Sequence, residues 1–259
     1  MNPILYDLKR SLLSKTFIFI LILMLCLSTI VGYFIKKLTG ASTPGLGLSE
    51  EGLFLTAISI ILSIFIPMLG LLMGYFYYGK DRLTSVLESV IVQPVTRMRL
   101  LISRFVVGVL AAGLSAVITI LVMYVFAVSY MNFSLPLNFI TSLTVAYFVE
   151  ASFFVGIIML LSHIVKTQSM LLALLILIFL VLDIFYSTIA DITLLATNSM
   201  GNSTIMLDTY IVNPTYFSLI TSYIFTNVYS ISEYTVLAAG LIWIFAPISL
   251  ALYLVHVRD

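Results

Sequence analysis

Six apolar stretches, each long enough to cross a lipid bilayer as a helix, dominate this sequence: residues 16–35, 53–78, 105–130, 139–164, 169–190 and 235–255. A spanning helix needs about 20 mostly apolar residues, because hydrocarbon offers peptide groups no hydrogen-bond partner and a helix satisfies its own. With 62% hydrophobic and 9% charged residues among 259, the chain has more apolar surface than a soluble core of this size can hide. The sequence therefore predicts an all-α integral membrane protein, one transmembrane domain over residues 1–259 with six transmembrane helices. The first stretch is too long for a signal-peptide core, and no small-residue cleavage site follows it, so it reads as a retained span.

Orientation follows from the basic residues, which stay on the cytoplasmic side when they lie near span ends. With the N-terminus inside, the inner segments hold Lys9, Arg10, Lys15, Lys80, Arg82, Arg97, Arg99, Arg104, Lys166 and Arg258, and Lys36 and Lys37 fall outside. Ten against two predicts a multi-pass protein of the cell membrane with both termini cytoplasmic. The outer segments carry Glu50, Glu51, Asp191, Asp208 and Glu233, with candidate glycosylation sequons at Asn132 (Asn132-Phe-Ser) and Asn202 (Asn202-Ser-Thr). The net charge of +1 argues against nucleic acid as a partner.

Two features flank the spans. In residues 1–15, Ile4, Leu5, Leu8 and Leu12 fall on one helical face, with Asp7, Lys9, Arg10 and Ser11 around the rest. This pattern predicts an N-terminal interfacial helix lying on membrane lipid, the alternative being a frayed start. Residues 191–234 contain apolar pieces such as "TYFSLITSYIF" that are too short to cross. They are expected to form short outer-leaflet helices between the fifth and sixth spans.

The segment 80–99 concentrates charge in a chain otherwise poor in it. Leu83, Val86, Leu87, Val90 and Ile91 follow the i, i+3, i+4, i+7, i+8 rule, while Asp81, Arg82, Ser85, Glu88 and Ser89 take the other positions. Pro94 biases Gln93 out of helical geometry, so a short amphipathic helix should end there. Thr96 is then placed to cap a new helix that carries Arg97, Arg99 and Arg104 into the third span. A helix continuous with two spans suits a mechanical task, since a partner that moves it moves the spans. Periodicity equally allows the helix to rest on lipid, with the arginines satisfying the charge rule.

The order of residues adds to this. "ESVIVQPVTRMRLLISRF" (88–105) resembles the stretch in ABC-2 type exporter permeases where a glutamate, an apolar run, "QP" or "SP", a small residue and a basic residue precede a helix with a further basic residue. Here these are Glu88, Val90 to Val92, Gln93-Pro94, Thr96-Arg97 and Arg104. The start, "MNPILYDLKRSLLSKTFIFILIL", and the ending, "HVRD", are similar to the same family, so the resemblance covers the whole chain. It implies a permease subunit whose coupling helix seats in a separate ABC ATPase subunit. Carried over, that ATPase-coupling interface is Leu83, Val86, Leu87, Glu88, Val90, Gln93, Pro94 and Arg97, with a second contact around Lys166 in "HIVKTQS". It also implies a second permease subunit, as a homo- or heterodimer. This chain has no G-x-x-x-x-G-K-[ST], so ATP and Mg would sit on the partner ATPase and no cofactor or metal on this chain.

Two acids fall inside spans: Glu150 near the middle of the fourth and Asp183 deep in the fifth. An acid at the bilayer centre costs roughly 2.5 to 3.5 kcal/mol on insertion scales, so each should face protein or water. They either line a substrate path, carry a proton, or pin helices together. Gly70 and Gly74, and Gly108, Ala112 and Ala116, recur at helix-packing spacing, within one chain or across a dimer. Pro67 and Pro247 are expected to kink their spans. His163 and His256 read as interfacial side chains, and no catalytic or metal constellation accompanies them.

Three rivals to the exporter subunit stand beside it. A stand-alone ion-coupled secondary transporter would use Glu150 and Asp183, although no internal repeat is visible. An intramembrane enzyme would need a convergent nucleophile, base or metal set, and none is visible. A permease-like subunit passing ATPase work to an outer partner is the third. The aromatic and aliphatic composition leans towards an amphipathic or apolar cargo.

Overall fold

The computed structural model describes residues 8–9, 12–40, 50–84, 97–197, 203–216 and 233–258. Among these there is no strand. The helices are α1 (Lys15–Gly40), α2 (Glu50–Gly74), α3 (Lys80–Leu83), α4 (Arg97–Phe126), α5 (Leu137–Ile164), α6 (Gln168–Phe179), α7 (Tyr186–Ala196), α8 (Ser203–Ile211) and α9 (Glu233–Arg258). Three π turns extend or join them: Tyr75–Gly79 between α2 and α3, Ala127–Met131 after α4, and Leu180–Phe185 between α6 and α7.

Six of the resulting rods are long and apolar enough to cross a membrane: Lys15–Lys37, Ala57–Leu83, Arg97–Met131, Leu137–Ile164, Gln168–Ala196 and Tyr234–Val257. Each contains or overlaps one of the six expected stretches, but the second, third and fifth run further. The third starts at Arg97 rather than 105, and the second reaches Leu83 rather than 78. A hydropathy reading stops at the first charges, whereas a helix continues through them when their heads reach polar partners at its end. Residues 80–83 thus continue the second span rather than opening a separate helix; residues 85–96, with Val86, Leu87, Glu88, Val90, Gln93 and Pro94, lie outside the described residues. So does Asn202, and so does most of residues 1–15, of which 8, 9, 12 and 15 are helical.

Local signals start the helices. The Phe17 N–H donates to Ser14 Oγ at 3.2 Å, a cap on α1, and the Met170 N–H donates to Thr167 Oγ1 at 3.3 Å, a cap on α6. Asn132 ends the third span in the left-handed region at φ 62°, a conformation asparagine tolerates better than most residues. Both internal prolines, Pro67 and Pro247, lie within continuous helices.

The fourth span is the centre of the bundle. In its most apolar window 72% is buried, against 12% in the fifth span, so the fourth is enclosed and the fifth peripheral. Missing Cβ atoms allow the close approach. A Cβ on Gly70 would lie 2.9 Å from Phe154 Cβ, and one on Gly74 3.1 Å from Ile158 Cβ. One on Gly108 would lie 3.0 Å from Val155 Cγ1. The small residues therefore serve packing of the second and third spans on the fourth within one chain. A main cluster, including Met24, Phe54, Leu62, Met123, Leu143 and Tyr147, unites the first four spans, with Ile248 and Ala251 of the sixth. Two smaller clusters sit where the fourth span meets the fifth. One holds Val149, Ala190 and Tyr210, the other Leu71, Phe154 and Leu171.

Candidate functional site

The charged ends of three spans are tied together. Arg104 of the third span donates through Nη1 to Asp81 Oδ2 at 2.8 Å and to the Tyr77 carbonyl. Tyr77 lies in the π turn 75–79, where the widened helix takes carbonyls out of the regular ladder and leaves them open to a side chain. Arg82 donates to the Ser162 carbonyl in the last turn of α5, where helix carbonyls lack intrahelical donors and the dipole favours a cation. Tyr78 Oη and His163 Nε2 share a hydrogen bond of 2.8 Å, with both side chains buried. The result is a clasp of second, third and fourth spans at one end of the bundle.

Around this clasp the expected coupling residues divide. Arg97 is exposed at the start of α4, and Lys166 is exposed in the turn between α5 and α6. Leu83 packs partly against the cluster around Leu171, so it serves the bundle as well as any partner. His163 was expected at the interface; it lies at the span end but faces inward, held by Tyr78. His256 is exposed. Tyr78, Arg82 and Asp81 escaped the sequence reading as a unit because their partners lie at least one span away; the only local signal was charge in a chain that has little.

A second polar group lies deep in the bundle. Glu150 stands midway along α5, fully buried at 0% exposure, and neither carboxyl oxygen has a hydrogen-bond partner among the described residues. Its neighbours handle their polarity differently. Ser142, Ser152 and Ser162 donate back to the carbonyls of Phe139, Phe148 and Met159 at 2.9, 2.6 and 2.6 Å.

Asp183 sits in the π turn 180–185 of the fifth span, next to Leu182, which packs on the cluster that holds Phe153, one turn from Glu150 on the fourth span. That turn opens the Leu182 carbonyl, which accepts from Asn213 Nδ2 at 2.6 Å and Thr215 Oγ1 at 3.4 Å. Asn213 Oδ1 in turn accepts from the Thr215 N–H at 3.1 Å. The chain after α8 therefore reaches the level of Asp183 as a 3-10 turn, Pro214–Tyr216, in which Pro214 and Thr215 are buried. Irregular backbone at that depth persists where protein covers it, and Asn213 and Thr215 are both almost fully buried. Tyr186 Oη, also in the fifth span, donates to the Thr209 carbonyl of α8. The sequence reading placed Glu150 and Asp183 inside spans but not together. It missed Asn213, whose Asn-Pro step was the available turn signal.

Trp243 closes the group from the sixth span. Its ring stands edge-on to Phe153 with centroids 5.2 Å apart, and its buried indole nitrogen has no partner among the described residues. No group of three potential metal-ligating side chains occurs among the described residues. Asn132, the first sequon residue, is exposed at the end opposite the clasp. The chain matches no protein-family model and no curated protein.

Proposed function

We propose that this chain is the membrane-spanning permease subunit of an ATP-driven exporter, coupled to a separate ATPase subunit that carries ATP and Mg. The clasp is the observation that carries this reading. Arg104, Asp81, Arg82, Tyr78 and His163 join three spans at the end where segment 80–99 begins and ends. Force applied to that segment passes to the second, third and fourth spans as one body. The basic-residue count sets this end in the cytoplasm of the cell membrane, where a soluble ATPase is found, and the resemblance in residues 88–105 supplies the family. A second permease subunit, identical or not, completes the path. The chain itself is then no enzyme.

The test is co-expression with the products of the neighbouring reading frames and co-purification of a Walker-type ATPase. Glu88→Ala or Arg97→Ala should weaken the complex and lower stimulated ATP hydrolysis; unaltered binding and stimulation in both variants counts against the reading.

A stand-alone ion-coupled transporter is the second reading, favoured by the buried carboxyl of Glu150, which has no hydrogen-bond partner among the described residues, with a second acid, Asp183, on the neighbouring fifth span. It requires transport by the purified chain in vesicles driven by an ion gradient with no nucleotide present.

A further inference from the structure

Glu150 has no inward-facing protein cation to pair with. Lys, Arg and His are absent from the middle of every span; all lie at span ends. The charged groups presented from the surrounding elements are Asp183 on the fifth span and none on the second or sixth at that depth. A carboxyl buried at bilayer depth with no protein cation to pair with is costly to ionise, so its charged form calls for a counter-charge brought from outside the chain. Its surroundings are aromatic and apolar: Trp243 and Phe153 edge to face, Tyr186, and the clusters around Val149 and Phe154.

We propose that Glu150 and Asp183, walled by Trp243, Phe153 and Tyr186, form the binding site for a lipophilic organic cation, the cargo of the transporter. The inference rests on the transport reading and names its substrate class. One positive charge between two acids supplies the missing counter-charge, and aromatic faces add cation–π attraction to the apolar burial of the cargo's body. A divalent metal is disfavoured because no third ligating side chain joins the pair among the described residues.

The carboxyl is sealed in this conformation. Its cover is the peripheral fifth span with the 214–216 turn, fastened through Asn213 and Thr215 to the Leu182 carbonyl and through Tyr186 to Thr209. Separation of that cover from the fourth span admits the cation, and the fifth span carries its π turn, 180–185, at that level.

Trp243 is the single tryptophan of the chain and stands at the site, so its fluorescence reports on that site alone. The full chain in neutral detergent is titrated with tetraphenylphosphonium and, separately, with tetraphenylborate, an anion of the same shape. The cation should change the fluorescence saturably and the anion should not. Glu150→Gln should weaken the apparent affinity about tenfold or more. Asp183→Asn should weaken it in the same direction, and Glu150→Asp, which keeps the charge, should retain more affinity than Glu150→Gln. If Glu150→Gln does not fold, Asp183→Asn and Glu150→Asp decide.

Equal responses to cation and anion, unchanged titrations in the neutralised variants, or a saturable response to sodium or protons with none to the organic cation each overturn the proposal. ATPase binding at segment 80–99 is measured apart. Loss of the titration with ATPase binding intact defeats this inference alone, and the reverse defeats the exporter reading alone.

Discussion

Arg104 and Asp81, 23 positions apart in sequence, meet at 2.8 Å across the gap between the second and third spans. The same guanidinium nitrogen holds the Tyr77 carbonyl, so the contact joins a charge pair to a backbone group. Both side chains are partly shielded, at 18% and 27% exposure, which limits solvent screening without abolishing it. Arg104→Ala should lower stability by about 1–3 kcal/mol, because it also leaves the Tyr77 carbonyl short of a donor. A double-mutant cycle with Asp81→Ala should recover a coupling of about 1 kcal/mol. Thermal unfolding in detergent measures both, and additive effects of the two substitutions would remove the pair from the account.

The close approach of the second and fourth spans makes a sharper demand. Gly70→Ala puts a Cβ 2.9 Å from Phe154 Cβ and 3.3 Å from the Ala151 carbonyl, neither of which is a flexible side-chain end. The substitution should destabilise by about 1–3 kcal/mol. Leu121→Ala, on an exposed face of α4, should stay within about 0.5 kcal/mol. Equal effects at the two positions would mean that these spans do not pack this way.

The buried turn after α8 depends on one amide. Asn213→Ala removes the donor to Leu182 and the acceptor for Thr215, while Asn213→Asp keeps the acceptor and loses the donor. In both variants the amides of residues 180–186 should exchange hydrogen about tenfold faster or more, with exchange in α5 little changed. Mass-resolved exchange reads this, and unaltered rates in 180–186 would show that Asn213 does not hold the turn.

Orientation is checked by labelling. With Cys26→Ser as background, removing the one cysteine, Ser85→Cys should react with an impermeant maleimide only from the cytoplasmic side. Asn132→Cys should react only from the other. Reaction of Ser85→Cys from outside reverses the bundle and removes a cytoplasmic ATPase from its clasp.

Much of this architecture was legible before any coordinates, and for a physical reason. A bilayer-length apolar run signals its helix through composition alone, so all six spans emerged from the chain, from the one around Met24 to the one around Ile248. Span ends were less legible: the helix runs on through Arg97, Arg99 and Arg104, and the Arg104 head finds a carbonyl and a carboxylate that hydropathy does not register. The site was half legible. Glu150 and Asp183 were conspicuous as acids in apolar surroundings, but their proximity comes from the packing of two spans, and a single sequence carries no direct sign of it. Asn213 was hidden for the same reason, since its partner is the carbonyl of Leu182, 31 positions earlier. The three π turns were invisible, because nothing in "YFYYG", "AVSYM" or "LVLDIF" breaks a helical pattern.

The enclosure of the fourth span sets a schedule for biosynthesis. Gly156 packs on Pro247, with a Cβ placed there only 3.0 Å from the proline ring, so the last span to leave the ribosome is one of the walls around α5. Until it arrives, Glu150 stands in the newly inserted chain without its finished surroundings. A chain truncated before residue 233 would lack that wall, and the cost of holding an acid at bilayer depth would fall on a bundle still open on one side.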